Sequence, residues 1–311
     1  MSKLAAAVPV MRLGVDHGNN RTKSSTGYKF LSGCTSGKKK VTGLSNRVFF
    51  NETYYSVGNS RSFMKKDKTS TEDMLIQTLP CIGEAYQSRK LQGNQIQLEI
   101  GVGTPLERYE RDYDSYKNYF LRDLEFEWNG IALEVEVKRV EVYPQGYAAY
   151  AANYAEYGKY RNLRIADLGG GTFDTFRIQD GDPVVESFKT QDYGINYLLD
   201  MISDTLDQED LIDVSESQIE MAIRNQEGVL ESIGYMYPEK IIEIAQDMRD
   251  TYMTNLLGKM HDRDISFQGA TALIGGGALL LKDYWKDYGV NMVACMDDLA
   301  NAAAFETLLN N

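Results

Sequence analysis

Three consecutive glycines between two strand-like runs constrain this chain more than any other feature. In Asp167-Leu168-Gly169-Gly170-Gly171-Thr172-Phe173-Asp174 every Cβ is missing where the backbone must turn sharply, so the chain there can approach a ligand closely. An ordinary hairpin needs one or two glycines and no flanking acids. Three glycines bracketed by Asp167 and Asp174, with the Thr172 hydroxyl beside them, therefore point to a turn built around a bound group. Neither GxxxxGK[ST] nor GxGxxG is present, since Gly101-Val102-Gly103 lacks a third glycine. Phosphate binding would have to use paired hairpin turns.

A weaker copy of the design lies near the start. Asp16-His17-Gly18-Asn19-Asn20-Arg21-Thr22-Lys23 ends a strand on a carboxylate, turns through Gly18, Asn19 and Asn20, and places an amine seven residues after the acid. Backbone N–H groups of such a turn can face a phosphate, Lys23 can reach its oxygens, and Asp16 can hold Mg2+ through water. Three further segments say less singly. Gly275-Gly276-Gly277 follows a buried strand, where glycines let the backbone lie flat against a base or sugar. Gln145 sits at the strand-to-helix turn Tyr143-Pro144-Gln145-Gly146 and can orient a water without being a strong base. Ala300-Asn301-Ala302-Ala303-Ala304-Phe305 has small side chains that let two helices approach. Taken alone, a turn residue satisfied by backbone or a plain helix start explains each of these.

The chain as a whole narrows the possibilities. Its 311 residues suggest two domains, and no apolar run approaches the roughly 20 residues that cross a bilayer. The first eleven residues lack the charged start and long apolar run of a signal peptide, so the expectation is a cytoplasmic protein with no membrane contact. Cys34, Cys81 and Cys295 are far apart and make no metal clip, so reduced structural thiols are expected. With only His17 and His261, a histidine-built zinc site or triad is excluded as an expectation, and carboxylates must carry any metal. The net charge of −12 argues against direct nucleic-acid binding. Residues 21–68 nonetheless hold eleven Lys/Arg, including Lys29, Lys38, Lys39, Lys40, Lys65, Lys66 and Lys68, against Glu52 and Asp67. That bipolar distribution could attract a second copy or an acidic partner, and solvated faces explain it equally well.

Patterning predicts strands at 11–16, 29–31, 47–50, 54–57, 95–102, 125–128 and 133–142, with helices at 106–120 and 147–157. After Gly158 the scheme starts again. Strands are predicted at 163–168, 173–179, 184–190 and 269–274, helical pattern from 193 to 257, and a closing small-residue helix at 298–309. Two regions thus each begin with a strand, a glycine turn holding an Asp, and a second strand.

In this order, the five segments resemble the phosphate 1, connect 1, phosphate 2, adenosine and connect 2 motifs of the actin, sugar kinase and heat-shock chaperone superfamily, from about residue 11 onward. The length, Gly103-Thr104-Pro105-Leu106 and Pro144-Gln145-Gly146 further resemble ParM-type plasmid-segregation actins and their archaeal relatives. The resemblance implies an α/β actin-like fold, with two ribonuclease-H-like lobes flanking a nucleotide cleft and each carrying a smaller subdomain. Lobe I would be 1–158, with 292–311 returning to it and 36–90 as its subdomain; lobe II would be 159–291, with 190–250 as its subdomain. It also implies that Asp16 and Asp167 hold Mg2+ mainly through water. Gly18, Asn19, Asn20 and Lys23 would meet the phosphates from one lobe, and Gly169, Gly170, Gly171 and Thr172 from the other. Gln145 would position the attacking water, and Gly275, Gly276 and Gly277 would flank adenosine and ribose. The implied activity is ATP hydrolysis coupled to filament assembly, with GTP left open as the nucleotide. The implied partners are further copies of the chain and an adaptor bound to plasmid DNA. A small-molecule kinase of the same superfamily and a nucleotide-binding scaffold without hydrolysis remain alternatives.

Overall fold

The computed structural model describes residues 8–38, 46–61, 68–211, 213–226, 234 and 237–310. Lys39, Lys40, Lys65 and Lys66 of the basic run lie outside the described residues. The chain divides into two units, Met1–Tyr157 with Leu299–Asn311, and Gly158–Asp298.

The first unit opens with β1 (Val10–His17), β2 (Arg21–Ser24), β3 (Lys29–Leu31), β4 (Cys34–Gly37), β5 (Arg47–Phe50) and β6 (Thr53–Val57), then α1 (Asp73–Ser88). It continues through β7 (Gln95–Thr104), α2 (Tyr109–Phe120), β8 (Leu124–Trp128), β9 (Ile131–Pro144), α3 (Tyr147–Ala152) and α4 (Tyr154–Tyr157). The nine described strands form one sheet in the order β3-β2-β1-β7-β9-β8-β5-β6-β4, with β1, β7 and β9 parallel at its centre. Within residues 36–90, expected as the lobe's smaller subdomain, β5 pairs with β8 of this sheet, and β6 joins β5 to β4.

Alternation explains which way each central strand faces. Met11, Leu13 and Val15 of β1 and Ile96, Leu98, Ile100 and Val102 of β7 enter one core with Leu75, Leu79 and Ile82 of α1. Each such buried aliphatic side chain contributes about 1.5–3 kcal/mol. In β9 the buried positions switch from Leu133, Val135 and Val137 to Val140 and Val142. A bulge opposite Leu98/Glu99 adds the residue that restores the phase.

The second unit contains β10 (Asn162–Leu168), β11 (Phe173–Gln179), β12 (Asp182–Gln191), α5 (Ile195–Gln208), α6 (Glu216–Ile223), α7 (Pro238–His261), β13 (Thr271–Ile274), α8 (Gly276–Leu280) and β14 (Met292–Cys295). Its five described strands run β12-β11-β10-β13-β14, antiparallel on the first side of β10 and parallel on the second. Leu198, Leu199 and Ile202 of α5 share a core with Ile241, Tyr252 and Leu256 of α7, and α6 opens on a Ser215/Gln218 capping box. Residues 292–298, expected with the first lobe, belong here, because β14 is held by its parallel pairing with β13. Between 190 and 250, expected as the lobe's smaller subdomain, side chains of α5, α6 and α7 share one buried cluster.

The chain then returns to the first unit as α9 (Ala300–Leu309). It lies on the sheet face opposite α1, where Gly14 of β1 and Gly101 and Gly103 of β7 leave room. A Cβ on Gly14 would sit 2.0 Å from the Ala302 carbonyl oxygen, and one on Gly103 2.3 Å from the Phe305 ring. The small residues of 300–305 thus serve helix-on-sheet contact as well as contact with α3.

Candidate functional site

In the first unit, antiparallel pairing of β1 with β2 puts Asp16 opposite Lys23 across a loop of residues 18–20. Both side chains are nearly buried, with Asp16 Oδ2 4.0 Å from Lys23 Nζ. A side chain at position 18 would come within 2.7 Å of the Arg21 carbonyl oxygen, so glycine is required there by the tightness of the turn. Gln145 arrives from the end of β9, and its Nε2 donates to Asp16 Oδ1 at 2.7 Å. Asp16 and Lys23 thus form one cluster with Gln145, which is 129 residues from Asp16 in sequence. A carboxylate can only accept, so it holds the amide nitrogen of Gln145 and leaves Oε1 pointing elsewhere, free to accept from a water.

The turn that carries Gln145 is itself fixed from several sides. The Gln145 N–H donates to the Thr104 carbonyl at 2.9 Å, and Gly146, at φ +73°, donates its N–H to Asn301 Oδ1 at 2.9 Å. Tyr143 stacks on Phe305 of the same helix α9, with centroids 5.7 Å apart. Burial, with Glu141 adding to it, pushes the Tyr143 phenol up to about 12, so it stays neutral. Asn301 was read from the sequence only as part of a small-residue helix; its position in α9 makes it the acceptor for the turn.

In the second unit, the loop of residues 169–172 joins β10 to β11 and is gripped from behind by the start of α5. The N–H groups of Ile195, Asn196 and Gly194 donate to the carbonyls of Gly169, Gly170 and Gly171 at 3.0, 2.9 and 3.1 Å. The peptides are trans, so each N–H that follows a held carbonyl points the opposite way. Those are the N–H groups of Gly170, Gly171 and Thr172, and none has a backbone acceptor among the described residues. Consecutive N–H groups on a glycine loop are of the kind that can face an anion. The contact demands Gly194, where a Cβ would lie 2.3 Å from the Gly170 carbonyl oxygen. Thr172 spends its hydroxyl proton on Asp174 Oδ2 at 2.8 Å, while Thr190 donates to Asp174 Oδ1 at 2.6 Å. Thr172 can thus offer an anion its N–H rather than its hydroxyl.

Parallel pairing of β10 with β13 sets Asp167 beside Ile274, and hence beside the second glycine run. Gly275, at φ +95°, is so close that a Cβ would meet Asp167 Oδ1 at 2.5 Å, and Gly277 rests on Leu168 and Ile195. Gly276 borders open space. Gly194, Asn196 and Thr190 were not singled out from the sequence, whereas Asp174 was; for the first two the Tyr193-Gly194 step at the head of a helical run was the available signal. Cys34, Cys81 and Cys295 are free thiols, and burial raises the thiols of Cys81 and Cys295. No group of three or more His, Cys, Asp or Glu suited to a metal occurs among the described residues. Nor, among them, is any helix long and apolar enough to cross a membrane.

Two family models match in succession. The model described as actin-like proteins N-terminal domain covers residues 14–147, and that described as archaeal actin homologue MreB-like, C-terminal, covers residues 165–287. The chain belongs to the actin-like proteins. No curated protein matches it at the level of sequence. Among solved structures, this actin-like protein is similar to Ta0583, an archaeal actin homolog in complex with ADP, at 18% identity and TM-score 0.69, over 96% of this chain and 99% of that one. It is similar to Bacillus thuringiensis ParM with AMPPNP at 13% identity and TM-score 0.68, over 96% and 97% of the two chains. The Alp12 filament structure matches at 14% identity and TM-score 0.64, over 97% and 98%. At such identities the likeness is one of fold, and the fold is actin-like.

Proposed function

We propose that this actin-like protein binds and hydrolyses Mg-ATP and assembles into filaments. The observation that carries the reading is the second loop, whose carbonyls at Gly169, Gly170 and Gly171 are held by the start of α5 so that the N–H groups following them turn away. The Asp16, Lys23 and Gln145 cluster supports it from the first unit. Further support comes from relatives of the same fold whose structures hold ADP or AMPPNP or are filaments.

In this reading the N–H groups of Gly170, Gly171 and Thr172 bind phosphate oxygens, and Lys23 adds a positive charge. Residues 275–277 lie against adenosine and ribose. Gln145 accepts a hydrogen bond from the attacking water through Oε1 while Asp16 holds its amide end. Phosphoryl transfer is driven mainly by positioning and electrostatics, so no covalent nucleophile is required. The chemistry of the residues fits magnesium: Asp16 in the first unit and Asp167 in the second are each hard oxygen donors at the end of a strand that leads into a glycine turn, and magnesium commonly takes one or two carboxylates with water and substrate phosphates. When bound, the metal would neutralise charge on the phosphates.

Filament assembly would then serve plasmid segregation through a DNA-bound adaptor, in the cytoplasm. The test is phosphate release and light scattering by the purified chain with Mg-ATP across a range of protein concentrations. The proposal expects turnover that rises as scattering appears, and loss of turnover in Asp167→Ala. Nucleotide binding without turnover at any concentration would overturn the ATPase reading in favour of a scaffold.

A further inference from the structure

We infer that Ser32 and Gln77 are positioning residues for the first loop, through which α1 aims the Asn19 N–H at a nucleotide phosphate. The inference rests on the nucleotide reading above and adds residues that it does not use.

Beneath the loop lies a cluster of polar side chains that the apolar core has no need of. Thr22 is fully buried, Ser32 and Thr78 are 1% exposed, and His17 and Gln77 are 3% exposed. Polar groups so buried are costly unless bonded, and a well-packed apolar set could replace them with little loss of stability. What the bonds within such a set supply is fixed geometry. Thr78 Oγ1 donates to the Met74 carbonyl and therefore accepts at 2.8 Å from the Nε2–H of His17, whose ring stacks on Phe120. The end of β1 is thereby anchored on α1, on the residue next to Asp16. Gln77 of α1 accepts from the Thr22 hydroxyl at 2.9 Å and donates through Nε2 to the Ser32 carbonyl.

Ser32 then holds the loop twice. Its backbone N–H donates to the Asn20 carbonyl at 2.9 Å, and its hydroxyl donates to the Gly18 carbonyl at 2.5 Å. The Gly18–Asn19 peptide is trans, so fixing that carbonyl turns the Asn19 N–H the other way. Among the described residues this N–H has no backbone acceptor. Its direction is set by Ser32, and Ser32 is set by Gln77.

The test compares the affinities of the full chain and its variants for Mg-ATP, Mg-ADP and adenosine. Ser32→Ala removes the hydroxyl donor and is expected to weaken both Mg-ATP and Mg-ADP by about ten-fold while adenosine affinity stays the same, as loss of one aligned bond to a charged group implies. Ser32→Thr, which keeps the hydroxyl, restores phosphate affinity. Gln77→Glu keeps an acceptor for Thr22, loses the donor to Ser32, and weakens the same two ligands. Equal affinity for all three ligands in Ser32→Ala, or equal loss for all three, would overturn the inference. Independently of any variant, titration of the wild type with inorganic pyrophosphate is expected to shift the Asn19 amide resonance; no shift at saturation overturns it too. If the wild type binds neither Mg-ATP nor Mg-ADP, the nucleotide reading itself has failed.

Discussion

The two loops reach a similar end by different means. In the second unit the carbonyls of residues 169–171 are held by the first N–H groups of α5, so the device is made wholly of backbone and its sequence requirement is the absence of side chains. In the first unit the Gly18 carbonyl is held by a serine hydroxyl, and that serine by a glutamine from α1. A helix N-terminus usually meets an anion with its own N–H groups. Here α5 uses them to orient a second row of donors, and the glycine run is what lets it come near enough. A backbone device is rigid and intolerant of any added atom, whereas a side-chain device can be weakened one bond at a time.

That contrast ranks the expected effects. The largest belongs to Gly194→Ala, whose Cβ has no room against the Gly170 carbonyl; moving the loop forfeits several charge-assisted bonds and should lower Mg-ATP affinity by about 100-fold or more in equilibrium titration. Gly275→Ala comes next. It strains a φ of +95° and displaces Asp167, and should destabilise the second unit by about 1–3 kcal/mol in denaturant unfolding, with turnover lost alongside. Gln145→Ala removes the amide held by Asp16 and, if Oε1 orients the attacking water as proposed, should slow single-turnover hydrolysis by about 10–100-fold with Mg-ATP affinity nearly unchanged. A large loss of binding in that variant would make Gln145 a structural partner of Asp16. The smallest effect is expected for Asn19→Ala, because the loop offers that residue's N–H and not its side chain. Mg-ADP affinity should change by less than about three-fold, and a ten-fold loss would mean that the side chain itself reaches the phosphate.

The same contrast explains what could be read in advance. A device made of missing side chains leaves a trace in the sequence, and the run at 169–171 with Asp167 and Asp174 is visible as such. A device made of contacts between distant residues leaves none, and nothing about Ser32 or Gln77 marks them before α1 is packed under the loop. Helix α1 itself escaped the pattern reading. Residues 74–83 are all buried, so there is no polar stripe to show a helical period, and Pro80 and Gly83 argue locally against a helix. Gly83 is there because the Trp128 indole lies against it, with a Cβ only 2.5 Å away. Strand β14 was missed for a related reason, being four residues long and partly buried throughout. The central strands were legible as largely buried runs in β1 and β7 and as alternation in β9, and even the phase change in β9 is present in Val137 and Val140.

Backbone amide hydrogen exchange with and without a saturating Mg-ATP analogue tests the central claim most directly, since the proposal has both loops offer N–H groups to phosphate. The account predicts slowed exchange at Asn19 and at Gly170, Gly171 and Thr172 together. Binding of the analogue with exchange at these four amides unchanged would contradict it.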